Sequence, residues 1–194
     1  MGYAKLKAKL SIDEYFDGEE ISPIRHEYLY GEVYAMAGVS QNHGRITRNL
    51  LNLLSSHLAG SRCEAFSENI KVNPSAEVFY YPDVIVTCEG DFKNKFVCEE
   101  PKLIIEVTSP STIQIDRREK LFAYKNMSSV HEIVIIDQGK VKIEVHRRLA
   151  EGQWVTYFFS DNDRELDLES VDMKLDVLSV YSRVTFIPEP NLEH

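Results

Sequence analysis

Two stretches of this chain set a carboxylate inside a run of apolar, largely β-branched residues. In "YYPDVIV", residues 80–86, Asp83 follows Pro82 and leads into Val84, Ile85 and Val86. In "PKLIIEVTSPST", residues 101–112, Glu106 stands between Ile105 and Val107. Runs of this composition read as strands built for burial. A carboxylate left ionised and alone in such a place is costly, so it must be paired, protonated or bound to a cation.

This requirement restricts how the two strands can be arranged. Alternation in 103–108 puts Ile104, Glu106 and Thr108 on one face and Leu103, Ile105 and Val107 on the other. Asp83 opens its strand directly after a proline, a position where a sheet edge often gives onto a site. If the two strands are neighbours, both carboxylates converge at one end of the sheet. They repel each other there unless a cation or a shared proton intervenes. Oxygen donors alone favour Mg²⁺ or Mn²⁺ over zinc.

The remaining pattern predicts an α/β or α+β fold, a sheet flanked by helices with an N-terminal hairpin. Residues 11–17, "SIDEYFD", suit a short helix capped by Ser11, and "HEYLYGEVYAMA" alternates around Gly31 as a β-hairpin. The segment 40–60 carries Ile46, Leu50, Leu53, Leu54 and Leu58 at helical period, with Ser40 to start it and Gly60 to end it. Strands are expected at 64–73, 83–88, 102–108, 131–137, 141–148 and in "QWVTYFFS", with a turn at "NPSAE". A helix is expected from about Asp116 to Asn126. It would align Asp116, Lys120 and Tyr124 on one face and return over the strand that carries Glu106. The tail from Asp163 reads as a peripheral strand and short helix.

With 194 residues, 43% of them hydrophobic, the chain is expected to form one domain over 1–191, the final "LEH" being read as a tag remnant. No apolar run approaches membrane-spanning length, and the N-terminal residues lack a signal-peptide centre, so a cytoplasmic protein is expected. Cys63, Cys88 and Cys98 are odd in number without CxxC spacing and are read as buried free thiols. The net charge of −9 argues against a surface coated in phosphate contacts. It leaves room for a local basic rim, for which Arg117–Lys120 and the pair Arg147 and Arg148 are candidates.

The succession "YYPDVIV", "LIIEVTSPST", "DRREKLFAY" and "VHEIVIID", with "HEYLYGEVYAMAGVSQNHGRITRNLLNLL" upstream, resembles the Uma-two-type endonuclease family, a branch of the PD-(D/E)XK nuclease superfamily. The resemblance runs from about residue 10 to about residue 160. It implies a restriction endonuclease-like core in which Asp83, Glu106 and the backbone oxygen of Val107 bind Mg²⁺ or Mn²⁺ and a lysine orients the attacking water. Thr108 occupies the place of the motif lysine. The resemblance transfers that role to Lys120, since the superfamily is known to move the lysine to the following helix. It also raises His43, in "SQNHGRI", as a candidate catalytic residue, and marks Glu27 without giving it a role.

Each of these residues has a plainer reading. Asp83 could be a turn residue, Glu106 one half of a salt bridge, Lys120 a solvated helix residue paired with Asp116, and His43 a satisfied core or capping side chain. Glu27 would by default form a salt bridge within its hairpin, and the aromatic residues would be core rather than a base-stacking platform. The joint pattern points to a metal-dependent endonuclease acting on nucleic acid, most simply DNA. The rivals are a noncatalytic binding module on the same fold and a hydrolase of smaller phosphoesters. A two-fold homodimer is expected, because cutting both strands of a duplex requires two sites.

Overall fold

The computed structural model describes residues 9–67, 69–108 and 119–186. Ser11 caps α1 (Ile12–Ile21) through a capping box, its hydroxyl accepting from the Glu14 N–H while the Glu14 carboxylate takes the Ser11 N–H. The hairpin β1 (His26–Leu29) and β2 (Glu32–Ala35) turns through Tyr30 and Gly31, both at positive φ (51° and 91°). A two-residue hairpin turn of this hand requires that geometry, and at Gly31 an added Cβ would also lie 2.6 Å from the Lys9 side chain. The long helix α2 (Gln41–Leu58) starts at Ser40, whose hydroxyl accepts from the His43 N–H. It buries His43, Ile46, Thr47, Leu50, Leu54 and Leu58 on one face.

The expected strand at 64–73 is two strands that belong to different sheets: β3 (Glu64–Ser67) and β4 (Lys71–Ser75). The turn at "NPSAE" joins β4 to β5 (Val78–Tyr80), a strand that periodicity alone did not separate. Then follow β6 (Val84–Thr87), the two-residue β7 (Val97–Cys98) and β8 (Pro101–Thr108). Of the helix expected from Asp116, α3 (Leu121–Lys125) is the described part, with Lys120 at its N-cap position. Asp116, Arg117 and the tag remnant lie outside the described residues. The chain closes with β9 (Glu132–Asp137), β10 (Lys142–Arg148), β11 (Trp154–Ser160), the ribbon β12 (Glu165–Leu168) and β13 (Met173–Asp176), and the short α4 (Val177–Val180).

These strands form two main sheets rather than one: a six-stranded sheet β11-β10-β9-β8-β6-β3 and a five-stranded sheet β2-β1-β5-β4-β7. In the larger sheet β8 and β9 are parallel, as the intervening crossover with its helix allows, and the other pairs are antiparallel. Alternation in the central strand β8 divides the core. Leu103, Ile105 and Val107 pack with α2 and the terminal ribbon. Ile104, on the opposite face, packs with Val72 and Tyr80 of the second sheet and with Tyr124 of α3. The far side of the second sheet receives α1, whose Tyr15 meets Tyr28 and Phe79. Among the described residues no helix is long and apolar enough to cross a membrane.

The cysteine expectation requires correction. Cys63 and Cys88 form a disulfide, and only Cys98 is a buried free thiol, its pKa pushed up to about 12 chiefly by burial. The physical reason is register. Glu64 faces Thr87 across the antiparallel β3–β6 pair, so Cys63 and Cys88 stand directly opposite each other, with Cα atoms 4.0 Å apart. The bond closes a loop of 25 residues in sequence. Replacing both cysteines by serine should therefore lower stability by about 3 kcal/mol in denaturant unfolding. Equal midpoints for the oxidised protein and the double variant would show that the bond adds nothing.

Candidate functional site

Antiparallel register brings the two strand carboxylates together. Val84 faces Ile105 across β6 and β8, so Asp83, one residue before β6, stands at the position opposite Glu106. Even-numbered residues of β8 turn their backbone groups toward β9, as the Thr108 carbonyl does in accepting the Gln138 N–H, and odd-numbered ones turn toward β6. Val107 thus faces the position of Pro82, which has no N–H to give. Its own N–H donates to Asp83 Oδ2 at 2.6 Å, closing the end of the ladder with a carboxylate in place of a backbone carbonyl. The Val107 carbonyl lies on the same side.

The other Asp83 oxygen, Oδ1, lies 3.1 Å from His43 Nε2. His43 occupies the first turn of α2 and is 7% exposed, with Nδ1 3.5 Å from the Thr47 hydroxyl. It is therefore a buried partner of the aspartate. Glu106 is 8% exposed and accepts at Oε1 from the Tyr124 hydroxyl at 2.8 Å. Lys120 Nζ stands 3.8 Å from the same oxygen. Tyr124 and Lys120 are four residues apart on the helical path, which is why both reach one carboxylate.

Glu27 completes the cluster, and its role was not legible in the sequence. It pairs with Lys120, Oε1 to Nζ at 2.8 Å, rather than within its own hairpin, and the same oxygen accepts the Tyr81 N–H at 3.2 Å. Lys120 is accordingly a largely buried cation between two acids, 5.4 Å from the Tyr80 ring centroid. A glutamate beside a tyrosine at a half-buried hairpin position was the available signal. Its partner lies far away in sequence.

The expected basic rim at Arg147 and Arg148 is not formed. The Arg147 guanidinium turns inward to Glu132 and Glu169, and Arg148 donates to the carbonyls of Lys125, Met127 and Val130. Both residues bind the end of β10 to its neighbours. A cleft of about 960 Å³ opens beside Asp83, between α1, the segment after the hairpin and the loop around Phe96.

Among the described residues no group of three or more His, Cys, Asp or Glu side chains is placed to hold a metal ion. The donor set that fits a cation is smaller: the carboxylates of Asp83 and Glu106 and the Val107 carbonyl. All are oxygen donors, as Mg²⁺ or Mn²⁺ requires, and Mg²⁺ usually keeps several waters beside one or two carboxylates. The state of Glu106 agrees with such a partner. Burial pushes its pKa up to about 8; Lys120 and the Tyr124 hydrogen bond oppose that shift, and the nearby Asp83 and Glu27 charges add to it. A carboxyl so placed gains from added positive charge.

Residues 12–178 match the Uma2 family, described as "Putative restriction endonuclease". The chain is similar to two uncharacterized proteins of Synechocystis sp. It is 33% identical to slr1290 over 180 residues, 92% of this chain and 94% of the relative. It is 28% identical to sll1609 over 162 residues, 81% and 92% of the two chains. Among solved structures it resembles a protein of Anabaena variabilis described as a putative nuclease belonging to DUF820. That similarity has a TM-score of 0.71 at 19% identity and covers 91% of this chain and 99% of the other, a likeness of fold.

The Glu106 carboxyl gives a pH dependence that can be measured without cleavage. Its folded pKa of about 8 lies above the ordinary 4.5, so the folded protein holds a proton that the unfolded chain has released between these values. The associated stability is complete below about pH 4.5 and is lost as pH rises through about 8. Melting temperatures of wild type and Glu106→Gln, compared between these limits without divalent metal, should move apart steadily in that sense. Parallel curves would mean that Glu106 ionises normally.

Proposed function

The chain belongs to the Uma2 family, and on that footing we propose that it is a metal-dependent nuclease whose chemistry is centred on Asp83, Glu106 and Lys120. The observation that carries this reading is the meeting, at one end of the large sheet, of two carboxylates from adjacent strand positions with a lysine from the following helix. A Mg²⁺ or Mn²⁺ ion held by Asp83, Glu106 and the Val107 carbonyl would supply Lewis-acid stabilisation of the phosphate and lower the pKa of a bound water.

The protein's own residues divide the rest of the work. His43 and the Val107 N–H each hold one Asp83 oxygen, fixing how that carboxylate is presented. The Tyr124 hydroxyl does the same for Glu106. Glu27 restrains the Lys120 ammonium, which stands where Thr108 of the strand cannot put a charge, and from there it would orient the attacking water or stabilise charge growing on the phosphate. DNA is the substrate this reading favours, and a two-fold dimer would present the two sites a duplex requires.

Incubation with single- and double-stranded DNA and RNA, in Mg²⁺, Mn²⁺ or EDTA, is the primary test. Cleavage is expected with metal and not in EDTA, and it should be abolished in Asp83→Asn and Glu106→Gln. Binding of nucleic acid with no cleavage under any of these conditions would favour the binding-module alternative.

The lysine has its own test. Lys120→Met should lower the cleavage rate by on the order of 10²-fold, the usual scale for loss of one preorganised charge or donor at a transition state. Because this change leaves Glu27 and Glu106 without their shared cation, Glu27→Gln/Lys120→Met serves as the charge-balanced control. Activity should stay low in both variants while the control regains melting temperature. Wild-type rates in the control would reduce Lys120 to a structural ion pair.

A further inference from the structure

The cleft that Asp83 lines contains a second buried lysine for which the reading above has no use. Lys71 is the first residue of β4 and is 4% exposed. Strand alternation sends its neighbour Val72 into the core between the two sheets, so Lys71 points the opposite way, toward α1 and the cleft. Its ammonium lies 4.9 Å from the ring centroid of Tyr81, 5.1 Å from Phe16, 5.6 Å from Phe96 and 5.7 Å from Tyr15.

The carboxylate that acts on Lys71 electrostatically, Glu19, is committed elsewhere. Its Oε2 accepts from the Tyr81 hydroxyl at 2.9 Å, and its Oε1 accepts the His26 N–H at 3.1 Å and meets His26 Nδ1 at 2.8 Å. Among the described residues no carboxylate lies within ion-pair distance of the Lys71 ammonium. Burial draws the Lys71 pKa below the ordinary lysine range; Glu19 opposes the shift and Arg25 adds to it. The result is a desolvated cation ringed by aromatic groups, in a cleft that Asp83 also lines. Such a cation is suited to an anion that arrives from outside.

We propose that Lys71 anchors a phosphate of an unpaired nucleic-acid strand lying in this cleft, next to the scissile phosphate, with the exposed ring of Phe96 offering a face for a neighbouring base. The inference deepens the nuclease reading and rests on it for the position of the scissile phosphate. Base stacking on side chains requires bases free of a duplex, which makes the occupant a single strand or a locally opened one. The carboxylates Asp17, Glu19 and Glu20 also line the cleft, Glu19 being held by the Tyr81 hydroxyl and by His26. Arg25 and Lys95 line it with Lys71 and add positive charge for the backbone of a bound strand.

The test is fluorescence anisotropy with a labelled single-stranded oligonucleotide and its duplex form, in EDTA, over a salt series of about 50 to 200 mM. Wild type should prefer the single strand. Lys71→Met should weaken that binding about tenfold and reduce the slope of log affinity against log salt by about 0.7, the loss of one phosphate contact on a single strand. Lys71→Arg should retain both affinity and slope. In cleavage assays Lys71→Met should raise KM while kcat stays within about threefold, a split that general loosening of the fold would not give. Should Lys71→Met melt below the assay temperature, Lys71→Gln repeats the measurement with a polar, uncharged end. Unchanged affinity and slope in the uncharged variant overturn the inference and leave the nuclease reading in place. Binding with the predicted slope change but no cleavage in any metal upholds Lys71 as the anchor and removes the nuclease reading. A wild-type protein that binds neither form overturns both.

Discussion

Burial of Glu106 in the central strand of the large sheet is the constraint around which the site is built. With Leu103, Ile105 and Val107 filling one face and Ile104 the other, the strand has no solvent to offer its glutamate. Two neighbours answer that problem and two aggravate it. Tyr124 donates a hydrogen bond, Lys120 brings a positive charge, and Glu27 and Asp83 balance that charge while raising the energy of an ionised Glu106. A cluster with one lysine among three acids keeps a demand for positive charge, and this is the physical ground for reading it as a place where a cation works.

The end of the sheet is shaped by a proline. Because Pro82 has no N–H, it can give the Val107 carbonyl no ladder hydrogen bond, and the Val107 N–H donates to the Asp83 side chain beside it. The proline leaves the pairing incomplete at the end of the strands, and the Val107 N–H holds a carboxylate there. The long helix α2 reinforces it from the other face, where His43 reaches the second Asp83 oxygen. The packing of α2 against the sheet, through fully buried side chains such as Ile46 and Leu54, therefore also sets the orientation of a candidate catalytic group.

The two sheets play different parts. The large sheet carries Asp83 and Glu106, whereas the smaller one supplies Glu27 from β1 and Lys71 from β4. Packing one sheet against the other through Tyr80, Ile104 and Tyr124 brings these contributions to a common edge.

Much of this was readable in order of sequence, because it depends on local periodicity. Alternation in 103–108 placed Glu106 on the face opposite Leu103 and Ile105, the 3.6-residue period marked α2 from Ser40 onward, Ser11 announced α1, and Lys120 fell on the helical face of Tyr124. The family was legible for the same reason, since its motifs are short runs in a specific order. What tertiary structure alone decided are pairings between residues far apart in the chain. The Cys63–Cys88 disulfide follows from the β3–β6 register, the Glu27–Lys120 ion pair from the meeting of a hairpin with a helix, and the inward turn of Arg147 and Arg148 from carboxylates and carbonyls on other elements. The division of 64–73 between two sheets, and the caging of Lys71 by aromatic residues from α1 and two loops, are of the same kind. Periodicity shows which face a side chain takes; the partner it meets there depends on how separate elements pack, and local sequence does not encode that.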